Sequence, residues 1–109
     1  MKWIILEDLI DKESVGAGPI SEETIAFRAA YKKTALNERA ALIASAFTSW
    51  SHDFRLKDAD DEVYYVGKCD GLDDADGDHA FAPLDWCMDS MGCVTMEYRA
   101  TGTTKWHEL

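Results

Sequence analysis

Phe54-Arg-Leu-Lys-Asp-Ala-Asp-Asp-Glu-Val-Tyr-Tyr-Val-Gly-Lys-Cys69 is the stretch where hydrophobic spacing along the chain shortens to a period of two. Phe54 and Leu56 alternate with Arg55 and Lys57, Asp58-Ala-Asp-Asp61 has turn chemistry, and Glu62 to Cys69 is rich in β-branched and aromatic residues. The pattern predicts a β-hairpin. A sheet therefore organises the fold, and the remaining segments are read by how they add to it.

Toward the N-terminus, residues 2–8 (Lys-Trp-Ile-Ile-Leu-Glu-Asp) read as a first strand, and residues 11–20, with Gly16, Gly18 and Pro19, as a loop. Ser21 is placed to cap a helix whose first turn carries Glu22 and Glu23, where the helix dipole favours anions, and Ile20 and Ile25 hold the positions of a hydrophobic staple. Ile25, Ala29, Leu36, Ala40, Ile43, Phe47 and Trp50 then recur near the helical period, interrupted by Lys32. This predicts a helix of about 25 residues, whole or broken near Thr34, which would then cap a second helix running to about Phe47.

Toward the C-terminus, a long acidic loop precedes Pro83-Leu-Asp-Trp-Cys-Met-Asp-Ser-Met-Gly92, which reads as a short helix ending at Gly92 or as an ordered loop. Val94, Met96 and Tyr98 alternate with polar residues as a strand does. Ala100 to Thr104 turns the chain into a last short strand around Trp106. The expected fold is α+β, one long helix, whole or broken, packed on a mainly antiparallel sheet of four to five strands, in a single domain spanning 1–109. Strand 62–69 is apolar on both faces (Val63, Tyr65 and Cys69; Tyr64 and Val66), as is strand 3–6, and one helix covers only one side. The other side is expected to be met by a homodimer or a protein partner.

At 109 residues, with 47% hydrophobic and 29% charged residues, the chain has the composition of an ordered domain with one core. Residues 10–20 and 70–80 are the expected exceptions. Trp3-Ile-Ile-Leu6 is too short for the apolar core of a signal peptide, and no run approaches the roughly 18 apolar residues of a membrane span. A cytoplasmic protein is expected. Its three cysteines, 69, 87 and 93, then read as reduced, buried residues.

The net charge is −10, and it is concentrated: from Asp58 to Asp89 eleven acids face a single base, Lys68, while the rest of the chain balances. Such a window repels phosphates and anionic lipid, so neither direct nucleic-acid binding nor membrane docking is expected. Inside it, Asp74, Asp76 and Gly77 fit positions 3, 5 and 6 of a calcium loop, but Leu72 and Pro83 stand where two defining ligands belong. An irregular divalent site using Asp73, Asp74, Asp76 and Asp78 is the remaining metal reading. Asp58, Asp60, Asp61 and Glu62 read as a hairpin turn. Cys69, His79, Cys87 and Cys93 lack the short paired spacing of a zinc site. A Cys87 or Cys93 nucleophile with His79 or His52 as base is disfavoured, because surrounding carboxylates raise a thiol's pKa. Gly16-Ala-Gly18 lacks the third glycine of a dinucleotide loop, and Pro19 removes an amide. No cofactor and no catalytic residue is indicated.

The segments Asp58-Ala-Asp-Asp-Glu-Val-Tyr-Tyr-Val-Gly67, Phe81-Ala-Pro-Leu-Asp-Trp86, Gly92-Cys-Val-Thr-Met-Glu-Tyr-Arg99 and Trp106-His-Glu-Leu109 together resemble a group of small proteins found on bacterial plasmids, phages and integrated mobile elements. The resemblance spans about residues 54–109; it implies a mobile-gene setting and no known reaction. The expectation is a non-enzymatic acidic binding protein. Asp58, Asp60, Asp61, Asp73, Asp74, Asp76, Asp78 and Asp85 would form one continuous surface for a basic protein partner, with Trp86 as an exposed aromatic anchor. The sharper alternative is a DNA mimic that blocks a host nucleic-acid-binding protein. The rival is a divalent-cation protein or hydrolase built on Asp73 to Asp78 with His79.

Overall fold

The computed structural model describes residues 1–109, the side chain of Ser90 excepted. In chain order it contains β1 (Lys2–Asp8), α1 (Glu22–Lys33), a 3₁₀ turn (Leu36–Glu38), α2 (Arg39–Ser45), β2 (His52–Lys57) and β3 (Val63–Asp70). A second 3₁₀ turn (Leu72–Asp74), α3 (Gly77–Ala80), α4 (Ala82–Met91), β4 (Thr95–Ala100) and β5 (His107–Glu108) complete it. The fold is α+β, with an antiparallel five-stranded sheet of order β1-β3-β2-β4-β5. The expected hairpin is β2–β3, paired from His52↔Cys69 to Leu56↔Tyr65.

The alternation of β1 sends its residues to two separate cores. Trp3 and Ile5 join Phe54, Leu56, Tyr65, Cys69 and Met96 beneath Leu84 and Cys87 of α4. Ile4 and Leu6 meet Phe27 of α1 and Trp50 on the opposite face, with Leu42, Ile43 and Phe47 alongside. Full burial of each such side chain contributes roughly 1.5–3 kcal/mol. Gly67 makes the first layer possible: a Cβ there would lie 2.2 Å from the Ile4 carbonyl oxygen and 2.5 Å from the Phe54 ring. Only glycine lets β1, β3 and the Phe54 ring approach this closely.

Ser21 caps α1, but its partner is Thr24: the Thr24 amide donates to Ser21 Oγ (3.4 Å) and the Ser21 amide to Thr24 Oγ1 (2.7 Å), a reciprocal box. Ile20 and Ile25 form no staple core, being 73% and 56% exposed. Of the two expected forms the helical run takes the broken one, interrupted at Thr34, and gives two short helices in place of one long one. Thr34 ends α1, its hydroxyl donating to the Ala30 carbonyl, and Ala35 precedes the 3₁₀ turn. Only the first part of the apolar stripe is turned outward; Ile43, Phe47 and Trp50, its last three members, pack in the second core as expected. Ile25, Ala29, Leu36 and Ala40 are exposed, and α1 buries Thr24 and Phe27.

The Gly16–Gly18 loop lies along β1, exchanging Gly16 N to Ile5 O (2.7 Å) and Ile5 N to Ala17 O (2.8 Å), which covers that sheet edge. Arg28 ties the loop to α1, its guanidinium donating to the carbonyls of Gly16 and Gly18. Cys87 and Cys93 are joined by a disulfide across Gly92, with Cα atoms 5.7 Å apart, which corrects the expectation of three reduced thiols; Cys69 alone is free and buried. Among the described residues no helix is long and apolar enough to cross a membrane.

Candidate functional site

The expected acidic surface divides. The turn 58–62 and the segment 70–78 sit at opposite ends of β3, which is eight residues long; at about 3.3 Å per residue those ends are about 23 Å apart. The turn and the 70–78 segment are therefore not adjacent, and of the remaining acids Asp85 and Asp89 lie on α4. Between the turn and that segment runs α4, from the end of α3 to Gly92, after which the Val94 amide donates to the Lys57 carbonyl beside the hairpin turn.

Two of the acids hold their own backbone, and a third is paired with a lysine. Asp58 Oδ1 accepts from the amides of Asp60 and Glu62 at 2.9 Å each, and these bonds, the Glu62 amide foremost, lower its pKa. Asp61 pairs with Lys57. Asp76 caps α3 by accepting from the His79 amide at 2.9 Å, which lowers its pKa, and it also meets His79 Nδ1 at 3.0 Å. Asp60, Asp73, Asp74, Asp78 and Asp85 are exposed, and among the described residues none forms an ion pair with Lys or Arg; Asp73 approaches only His52, at 3.9 Å.

Trp86 is not an exposed anchor. Its ring packs 5.0 Å from Tyr65 and 5.9 Å from Trp3 at the edge of the larger core. The exposed face of α4 is instead Asp85, Met88 and Asp89, with Met88 47% exposed between two carboxylates. The spacing i, i+3, i+4 within 82–91 is the sequence signal for that face.

The sheet side opposite α4 corrects a second expectation. Over β2 to β4 it is charged, not apolar. Asp53 lies between Lys68 (2.6 Å) and Arg99 (2.9 Å), and Glu97 between Arg55 (2.6 Å) and Lys57 (3.3 Å). The registers Asp53↔Lys68, Asp53↔Arg99 and Arg55↔Glu97 place opposite charges directly across from each other. Burial pushes both carboxyls up, but hydrogen bonds from the bases outweigh it and hold Asp53 and Glu97 below the usual carboxylate range. The Trp106 ring sits between the guanidinium carbons of Arg55 (4.4 Å) and Arg99 (4.3 Å), fixing the C-terminal segment on this face.

No catalytic constellation assembles from the candidates. Cys87 and Cys93 are bonded to each other. Burial pushes the Cys69 thiol up to about 12, and nearby Asp53 adds to the shift. His79 is exposed on the short α3. A groove of about 440 Å³ beside the acidic segment is lined by Met1, Lys2, Asp70, Asp74, Asp76 and His79. Among the described residues no three His, Cys, Asp or Glu side chains converge as a metal centre requires. In comparisons with protein-family models, curated proteins and solved structures, nothing matches this chain.

Proposed function

We propose that the chain is a non-enzymatic binding protein whose α3–α4 side engages a basic surface on a protein partner. One observation carries this reading: the molecule's charges are segregated across the sheet. On one side, bases are matched to Asp53 and Glu97; on the other, Asp73, Asp74, Asp78, Asp85 and Asp89 are exposed without a Lys or Arg partner among the described residues. Unmatched carboxylates on one side create a directional field that steers a basic partner over about a Debye length. Met88 supplies an apolar contact in the middle of α4, the role expected earlier of Trp86. Asp60 and Glu62 form a second, smaller pole at the hairpin tip. The resemblance of residues 54–109 makes a mobile genetic element the setting we favour.

The test is retention of proteins from a cell lysate on the immobilised chain at low and high salt, alongside the D73N/D74N/D78N variant. The expected result is a basic protein held by the parent chain at low salt, released at high salt and lost on the variant. If double-stranded DNA also displaces it, the partner is a DNA-binding protein and the chain a mimic of DNA. Retention that ignores both salt and the three substitutions would refute the proposal.

A further inference from the structure

The outer side of α1 has the pattern of a contact surface. Thr24 and Phe27 face the sheet, and Ala26, Ala29 and Ala30 face outward with Ile25, which is 56% exposed. Ile20 and Leu36, 73% and 80% exposed, flank the helix at its two ends. Three of the seven large hydrophobic side chains left in solvent, Ile20, Ile25 and Leu36, therefore lie on α1 or within three residues of its ends.

We infer that α1 pairs with α1 of a second copy in an antiparallel, two-fold symmetric contact. The choice of occupant rests on charge. Each copy carries −10, so association through most of the surface is repulsive, but between Glu22 and Arg39 four bases meet three acids. Within α1 the signs are polarised: Glu22 and Glu23 occupy the first turn, Lys32 and Lys33 the last. Glu22 and Lys33 lie about three turns apart on the same outward side. A two-fold axis between Phe27 and Arg28 sets Glu22 opposite the second copy's Lys33, and Ala26 opposite Ala29. The same register brings Ile20 of one copy beside Leu36 of the other. Small side chains at the crossing let helix axes approach to about 8 Å, and the antiparallel dipoles oppose favourably. Among the described residues Glu22 and Lys33 have no ion-pair partner within the chain, whereas Glu23 is held by Lys2 at 3.1 Å. This inference does not depend on the acidic side, which lies across the sheet.

A contact through one 12-residue helix per copy is a small interface, so dissociation is expected at about 10–100 μM. The experiment is sedimentation equilibrium from about 1 μM to about 1 mM, with circular dichroism to verify that each variant is folded. Glu22→Lys and Lys33→Glu each place like charges face to face twice per dimer and should weaken association about tenfold. The double reversal E22K/K33E should restore it, because in a two-fold contact the swapped charges meet again. Ala29→Arg, at an exposed position, should abolish the dimer while leaving the fold intact. A parent chain that stays monomeric to about 1 mM overturns the inference and leaves the face to a foreign protein. Unchanged association in either single variant or in Ala29→Arg, or a double reversal that fails to restore it, overturns it as well.

Discussion

Replacing Asp53 by Asn tests whether the charged side of the sheet stabilises the fold or merely decorates it. The substitution keeps the shape and removes the charge, leaving Lys68 and Arg99 facing a neutral amide. Asp53 and Lys68 are each 13% exposed at the side chain, so this pair is little screened, whereas Arg99 is 31% exposed and its share is discounted. A charge-assisted hydrogen bond contributes about 1.5–3 kcal/mol. The Lys68 bond at the lower figure and a reduced Arg99 share give a loss of about 2–3 kcal/mol, which for a chain of this length lowers Tm by about 10 °C. The sign with pH follows from the lowered pKa of Asp53. The contribution is fully present above the unfolded carboxyl value of about 3.9 and is lost as pH falls through the lower folded value. Urea denaturation of parent and variant from neutral pH downward should therefore show a gap that closes in acid. A neutral-pH gap below about 0.5 kcal/mol, or one that persists unchanged to about pH 2, would refute the assignment.

The remaining predictions concern the tail and the thiols. Trp106→Ala empties the space between Arg55 and Arg99; at about 0.5–1 kcal/mol per cation–π contact it should cost about 1–2 kcal/mol, and limited proteolysis should then cut within residues 101–106 well before the rest of the chain. Cys69, buried and with its pKa raised to about 12, should resist alkylation at pH 8 in the folded protein and react only on unfolding. Reducing the Cys87–Cys93 bond, which spans a sequence separation of 6, should lower stability by about 2 kcal/mol and release exactly one further pair of thiols to the same reagent.

Elements whose signal lies in their own residues were legible before any coordinates. The hairpin announced itself by its change of period and Ser21 by its capping chemistry; for residues 83–92 the sequence left a short helix or an ordered loop, and the structure has the helix, closed by Gly92 in a left-handed conformation. What failed required knowing which neighbour an element meets. The stripe Ile25, Ala29, Leu36, Ala40 is apolar at helical spacing, yet spacing does not say whether that face turns inward, and here Thr24 and Phe27 meet the sheet instead. Trp86 was read from its acidic sequence neighbours, although Trp3 and Tyr65 surround its ring. The ion-pair network was present as alternating charge in Asp53, Arg55 and Lys57 and in Glu97 and Arg99. It became meaningful only once the β2–β4 register put these residues opposite each other. The acids of the hairpin turn and those of 70–78 are close in sequence but not adjacent in space, because an extended strand lies between them.

The segregation of charge across the sheet also governs how the molecule turns before it touches anything. On the proposed reading, the exposed carboxylates of α3 and α4 that lack a Lys or Arg partner give an external field a torque as well as a pull on the molecule. A cationic body would rotate the molecule to present α4, and an identical copy would rotate it to present the nearly neutral helices instead. Under the two proposals the encounters would use opposite poses, so a bound basic partner would leave the α1 face free for a second copy.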